Sequence, residues 1–257
     1  MSDFTTADGL TLAYDDLGPQ DARPILLIHG FSSNREEGWR RTGWYSAIER
    51  RGQRLIAMDT RGHGLSAKPH DPAAYERSRL VGDLIALLDH RKVGRADVVG
   101  YSMGARLALQ LALTVPDRVD HLVLGGVGGR IFTPSPPDDA MGQAMEAADP
   151  DSISDPMLRS FRHFADEQGE DRLALAALSR APSGGLTPDD LYAVRSPTLV
   201  AAGSRDELAG SPQVLADAIP GARSVSLPGC DHFNAIPHAL LKASVFDFLD
   251  GYLEEGY

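Results

Sequence analysis

The chain has 257 residues, 42% of them apolar and 24% charged, the composition of a globular protein of a size that α/β folds often reach as one unit. Its net charge of −11 argues against a nucleic-acid partner, and no apolar run reaches the ~20 residues of a membrane-spanning helix. The start, Met1-Ser2-Asp3-Phe4, lacks a basic segment followed by an apolar one, and the single cysteine, Cys230, excludes an internal disulfide, so a cytoplasmic protein without a membrane partner is expected.

Phe4 to Thr6 and Leu10 to Tyr14 flank Asp8-Gly9, which predicts a hairpin. Pro24-Ile25-Leu26-Leu27-Ile28 is a short continuous apolar run, the mark of a strand buried on both faces. Leu55 to Met58, Val98-Val99, Leu122 to Leu124 and Thr198 to Ala202 repeat that mark, and Ser224 to Leu227 reads as the last strand. Helical patterns fall between them, over about Trp44 to Arg50, Glu76 to Leu88, Ser102 to Val115 and Pro212 to Ile219, with a final helix over about Pro237 to Leu253. This alternation predicts an α/β fold with a mostly parallel sheet of about eight strands covered by helices on both faces.

The rhythm stops at residues 128–190. Short amphipathic pieces there are punctuated by Pro134, Pro136, Pro137, Pro150, Pro156 and Pro182. So long a loop without structure of its own is improbable in a compact domain, so a small helical insertion is expected within a core of residues 1–127 and 191–257. Asp138 to Asp171 holds ten acids against two bases, the pattern of a solvated surface.

Gly100-Tyr101-Ser102-Met103-Gly104 lies between an apolar run and an Ala/Leu-rich helical pattern, the context in which Gly-x-Ser-x-Gly forms a nucleophile elbow. A serine hydroxyl needs an adjacent base, and that base needs a carboxylate to orient it. Elbow hydrolases run in the order serine, acid, histidine. His232, in the turn-rich loop after the last strand, is therefore the candidate base, while His238 falls inside the final helical pattern. Asp206, just past the Thr198 to Ala202 strand, is the candidate acid, with Glu207 and Asp231 as competitors. Acyl transfer also needs two backbone N–H groups aimed at the developing oxyanion. Met103 supplies one, and Phe31, with Ser32 second, supplies the other. His29, Asp59, Arg61 and His63 read as structural, and Cys230 as buried filler. No metal-ligand spacing, P-loop or dinucleotide fingerprint is present, so cofactor-free chemistry is expected.

Together these residues resemble the α/β-hydrolase superfamily, and within it the small serine esterases related to meta-cleavage-product hydrolases. The resemblance covers nearly the whole chain. It rests on His29-Gly30-Phe31, the Asp59 to Ser66 loop with Lys68-Pro69, and Gly100 to Gly104. It continues through Val115 to Val119, Gly203 to Asp206, and His232. It implies a nucleophile at Ser102, an acid at Asp206, a base at His232, an oxyanion hole at Phe31 and Met103, and a cap formed by the insertion. Candidate substrate contacts are Phe31 and the cap residues Phe132, Met141, Met145, Phe161 and Phe164.

Three departures stand out. The loop from Asn34 to Arg41 is long and charged. Asp231 stands where a glycine often precedes the base, which puts a negative charge next to His232 in the sequence. The short, proline-broken cap implies an open pocket. The expected activity is hydrolysis of small, largely uncharged carboxylic esters through an acyl-enzyme, with anionic substrates repelled by the acidic cap. C–C bond hydrolysis or lactone opening on the same triad is the alternative, and a catalytically weak ligand-binding module the second. An aspartate would stand at Ser102 in a haloalkane dehalogenase or an epoxide hydrolase.

Overall fold

The computed structural model describes residues 2–133, 139–182 and 185–252. Strands β1 (Ser2–Thr5) and β2 (Thr11–Leu17) pair antiparallel across the Asp8-Gly9 turn, and β2 runs antiparallel to β4 (Arg54–Met58). The rest pair in parallel: β3 (Pro24–Ile28), β5 (Ala96–Tyr101), β6 (Val119–Gly125), β7 (Thr198–Gly203) and β8 (Arg223–Leu227). The spatial order is β1-β2-β4-β3-β5-β6-β7-β8 in one sheet of eight strands.

The apolar run of β3 explains why the sheet is covered twice. Successive side chains point to opposite faces. Leu26 and Ile28 enter the core beneath α2 (Arg77–His90), α3 (Met103–Thr114) and α7 (Pro212–Asp217), with Leu84, Leu109 and Leu215. Ile25 and Leu27 enter the opposite core beneath α1 (Trp44–Arg50) and α8 (Ala239–Leu249), with Trp44, Ile48 and Val245. The last helix starts two residues later than the sequence suggests, because the His238 ring accepts the Leu240 N–H at 3.2 Å and caps it. Its expected end at Leu253 lies outside the described residues.

Between β6 and β7 the described residues form helices only. These are α4 (Ala140–Glu146), α5 (Pro156–Glu167) and α6 (Arg172–Arg180), with short 3₁₀ turns around them. Pro150 and Pro156 begin helices rather than breaking them, a position where the missing N–H costs nothing. Pro134, Pro136, Pro137 and Asp138 lie outside the described residues. Many of the acids have structural work: Asp155 and Asp171 cap α5 and α6, and Asp139 and Glu146 pair with Arg180. The insertion has its own small core of Met145, Phe161, Ala165, Leu175 and Ala176, which rests on Phe31 and Leu208. Among the described residues no helix is long and apolar enough to cross a membrane.

Candidate active site

Strand β5 passes into α3 through Ser102, whose backbone lies at φ 56°, ψ −115°. A non-glycine residue held there stores ~1–3 kcal/mol of strain. The Ser102 N–H donates to the Gly125 carbonyl at 2.8 Å, which ties the turn to β6. The flanking glycines are required by packing. A Cβ on Gly104 would penetrate the Ile28 carbonyl of β3, and one on Gly100 would penetrate the Gly104 carbonyl. The serine is thereby lifted onto the carboxyl edge of the sheet.

Asp206 and His232 come from the loops after β7 and β8 and meet it there. His232 Nδ1 lies 2.8 Å from Asp206 Oδ2, and His232 Nε2 lies 2.9 Å from Ser102 Oγ. With a carboxylate on Nδ1, that nitrogen carries the proton and Nε2 accepts from the serine hydroxyl. The second oxygen of Asp206 accepts the Leu208 and Ala209 N–H groups at 3.1 and 2.9 Å, which locks the carboxylate. The Tyr101 hydroxyl donates to the His232 carbonyl at 2.7 Å, so the residue before the nucleophile holds the base loop. Asp231 is turned to its own loop, accepting the Phe233 and Asn234 N–H groups at 2.9 Å each.

Gly30 brings the β3 loop against Ser102: a Cβ added there would lie 3.4 Å from the serine Cβ. The Phe31 and Met103 N–H groups have no acceptor among the described residues. Ser32 is different, because its N–H donates to His63 Nε2 at 3.2 Å. Burial and the neighbouring His29 hold the His63 pKa well below its ordinary value, so the ring is neutral and Nε2 can accept. His63 Nδ1 faces Thr60 Oγ1 at 3.0 Å, and the Thr60 N–H donates to His29 Nε2 at 3.0 Å. Arg61 is held by Asp83 and Asp8. The charged loop winds into a π-helical turn (Glu36–Arg40), with Arg35 pinned between Asp15 and Asp59.

Two cavities share Ser102, Arg106 and Phe161 as wall residues. The smaller, about 180 Å³, is completed by His232, Gly126, Ile131 and Leu208. The larger, about 430 Å³, is lined by Phe31, Met103, Tyr75, Arg77, Met141 and Leu178, among others. An open groove of about 850 Å³ beside β7 and β8 reaches neither Ser102 nor His232 and is set aside. Phe31, Met141 and Phe161 therefore stand where substrate contacts were expected. Phe132 and Met145 do not: Phe132 packs on the main core, and Met145 is fully buried inside the insertion. Phe164 faces Phe233, with ring centroids 6.5 Å apart.

No acid lines either cavity, whereas Arg106 lines both and Arg77 one. Asp139, Glu146, Asp155, Asp166 and Asp171 cap helices or pair with arginines, and no carboxylate of residues 139–171 lines either cavity. Arg106 was not singled out from the sequence, although it lines both cavities and follows Ser102 by only four residues.

The chain belongs to the α/β-hydrolase fold family, whose sequence profile matches residues 23–152. A 2-hydroxymuconate semialdehyde hydrolase of Pseudomonas putida is 31% identical over 235 residues, 84% of this chain and 83% of that protein. A putative 2-succinyl-6-hydroxy-2,4-cyclohexadiene-1-carboxylate synthase of Bacillus subtilis (strain 168) is 35% identical over 122 residues. That match spans 47% of this chain and 42% of that protein. The solved structure of the enol-lactonase from Burkholderia xenovorans LB400 superposes with a TM-score of 0.77 at 25% identity, over 97% of this chain and 100% of that one.

Proposed function

We propose that the protein is a serine hydrolase that cleaves carboxylic esters through an acyl-enzyme on Ser102. The observation that carries this reading is the unbroken chain Asp206–His232–Ser102, with both hydrogen bonds under 3 Å. As Ser102 Oγ attacks the ester carbonyl, His232 Nε2 takes its proton, and Asp206 stabilises the imidazolium. The Phe31 and Met103 N–H groups receive the oxyanion, aided at Met103 by the helix N-terminus. The imidazolium then gives its proton to the departing alcohol. Water, deprotonated by His232, releases the acid and restores the serine.

A lactone is an internal ester and passes through the same steps, so lactone opening is the second reading, favoured by the likeness to the enol-lactonase. Ser102→Ala is expected to lower ester turnover by ~10⁴-fold or more and to abolish labelling by a fluorophosphonate probe. Full activity in that variant would refute the reading. A panel of acyl esters and lactones on the wild-type protein separates the two substrates.

A further inference from the structure

The loop that carries the base is fastened at its two ends. Its start is tied where the Cys230 carbonyl accepts the Arg205 N–H at 2.9 Å, and its end where the Ile236 carbonyl accepts the Trp44 indole N–H at 3.1 Å. Between those points Asp231, Phe233 and Asn234 bond to one another. Among the described residues the backbone of His232 has one partner, the Tyr101 hydroxyl, which donates to its carbonyl at 2.7 Å.

That hydroxyl is placed as firmly as the serine beside it. Successive side chains leaving a strand point apart, so β5 turns Tyr101 into the core beneath α1 and α8 while Ser102 stands at the sheet edge. At the end of β6 a Cβ on Gly125 would lie 2.9 Å from Tyr101 Cδ2, and one on Gly126 2.6 Å from Tyr101 Cζ, so this glycine pair leaves room for the ring. Burial first, and then Asp206 and Asp231, hold the tyrosine pKa well above its ordinary value, so the hydroxyl keeps the proton it donates.

We infer that Tyr101 is a positioning residue for the base: anchored on the strand that presents the nucleophile, it fixes the backbone of His232 and with it the reach of Nε2. This rests on the serine-hydrolase reading and goes beyond it, since the residue before the serine then serves the histidine. Asp206 holds Nδ1 and sets the tautomer, but a single bond at 2.8 Å leaves the ring free to rock about it. In acylation Nε2 takes the proton of Ser102 Oγ and then delivers it to the departing oxygen, and a displacement of ~1 Å can cost ~10²-fold in rate. The second transfer depends more on the tether, because the 2.9 Å contact with Ser102 Oγ itself guides the first.

The test uses ethyl butyrate and 4-nitrophenyl butyrate. They share an acyl group, but an ethoxide must be protonated to depart and a 4-nitrophenolate need not be. Tyr101→Phe keeps the ring against Gly125 and Gly126 and removes the hydroxyl alone. It is expected to lower kcat/KM by ~10–100-fold on the ethyl ester and by only a few-fold on the nitrophenyl ester, so that the ratio of the two falls about tenfold. A ratio is unaffected by the fraction of correctly folded enzyme, so a purely structural loss leaves it in place. A ratio lowered by about threefold or more supports the tether, and a smaller change overturns it. If the wild type cleaves neither ester, the ester reading fails by itself. In that case, or if only the nitrophenyl ester is cleaved, the tether is judged by the rate constant for fluorophosphonate labelling of Ser102. A constant about threefold or more lower in Tyr101→Phe supports it, and a smaller change, or no labelling of the wild type, overturns it.

Discussion

At the carboxyl edge of the sheet, Ser102, Asp206 and His232 are placed by backbone: a strained turn, two glycines with no room for a Cβ, and loops tied to strand ends. The helical insertion above them is placed by side chains. Glu170 accepts the Gly64 N–H at 2.8 Å and the Asn34 amide at 2.9 Å, His70 meets Asp171 at 2.9 Å, and Phe161 stacks edge-on against Phe31 at 6.0 Å. On the proposed mechanism, the edge specifies which bond is attacked, and the insertion, with α2 and α3, which molecules reach it. A geometry set by backbone survives most substitutions around it. Selectivity set by side chains changes with one.

Substitutions at three positions put that contrast at risk, beginning with the largest effect. Asp206→Asn, which keeps the shape but favours the wrong His232 tautomer, is expected to lower kcat by ~10⁴-fold while the folded structure persists. A loss under tenfold would mean that the backbone-held chain is not the working one. His63→Ala removes the acceptor of the Ser32 N–H and loosens the loop that presents Phe31. It is expected to lower kcat on the order of tenfold to a hundredfold with little change in KM, since the oxyanion exists only in the transition state. A change in KM alone would put His63 in ground-state binding instead.

The smallest effect belongs to the insertion. Glu170→Ala strands the Gly64 and Asn34 donors and should cost about 1–3 kcal/mol of stability. Burial raises the Glu170 pKa, against opposing hydrogen bonds from Asn34 and Gly64. A carboxyl raised in the folded state is favoured protonated. Its contribution is full below the unfolded value near ~4.3 and falls as pH rises through the folded one. Glu170→Gln keeps an acceptor without the charge and should lack that slope. Melting temperatures of wild type and Glu170→Gln at pH 5 and pH 8 provide the check: parallel changes would show that this carboxylate does not report on the insertion.

The strands, the elbow and the order of triad residues were legible because each depends on local pattern. Continuous apolar runs mean strands buried twice, and a glycine-flanked serine between a strand and a helix has few other uses. The cavity was less legible, because its wall is assembled from α2, α3, the β3 loop and the insertion. Phe132 and Met145 are as apolar as Phe161 and Met141, and only tertiary placement separates core filler from lining. The acidic run was only partly legible for a related reason. Composition counts carboxylates but cannot say which cap helices, as Asp155 and Asp171 do. His63 reads as structural in the sequence and is so in the fold, but nothing in the sequence names the Ser32 N–H as its partner.

Gly100 and Gly104 carry a consequence for lineage. Their missing side chains serve the crossing of β3, β5 and α3, and none of that depends on the hydroxyl between them. A descendant that lost Ser102 and abandoned hydrolysis would still need both glycines to fold. The pair is an inheritance of architecture, and on the proposed mechanism it is Ser102 with His232 and Asp206 that records whether the trade is still practised.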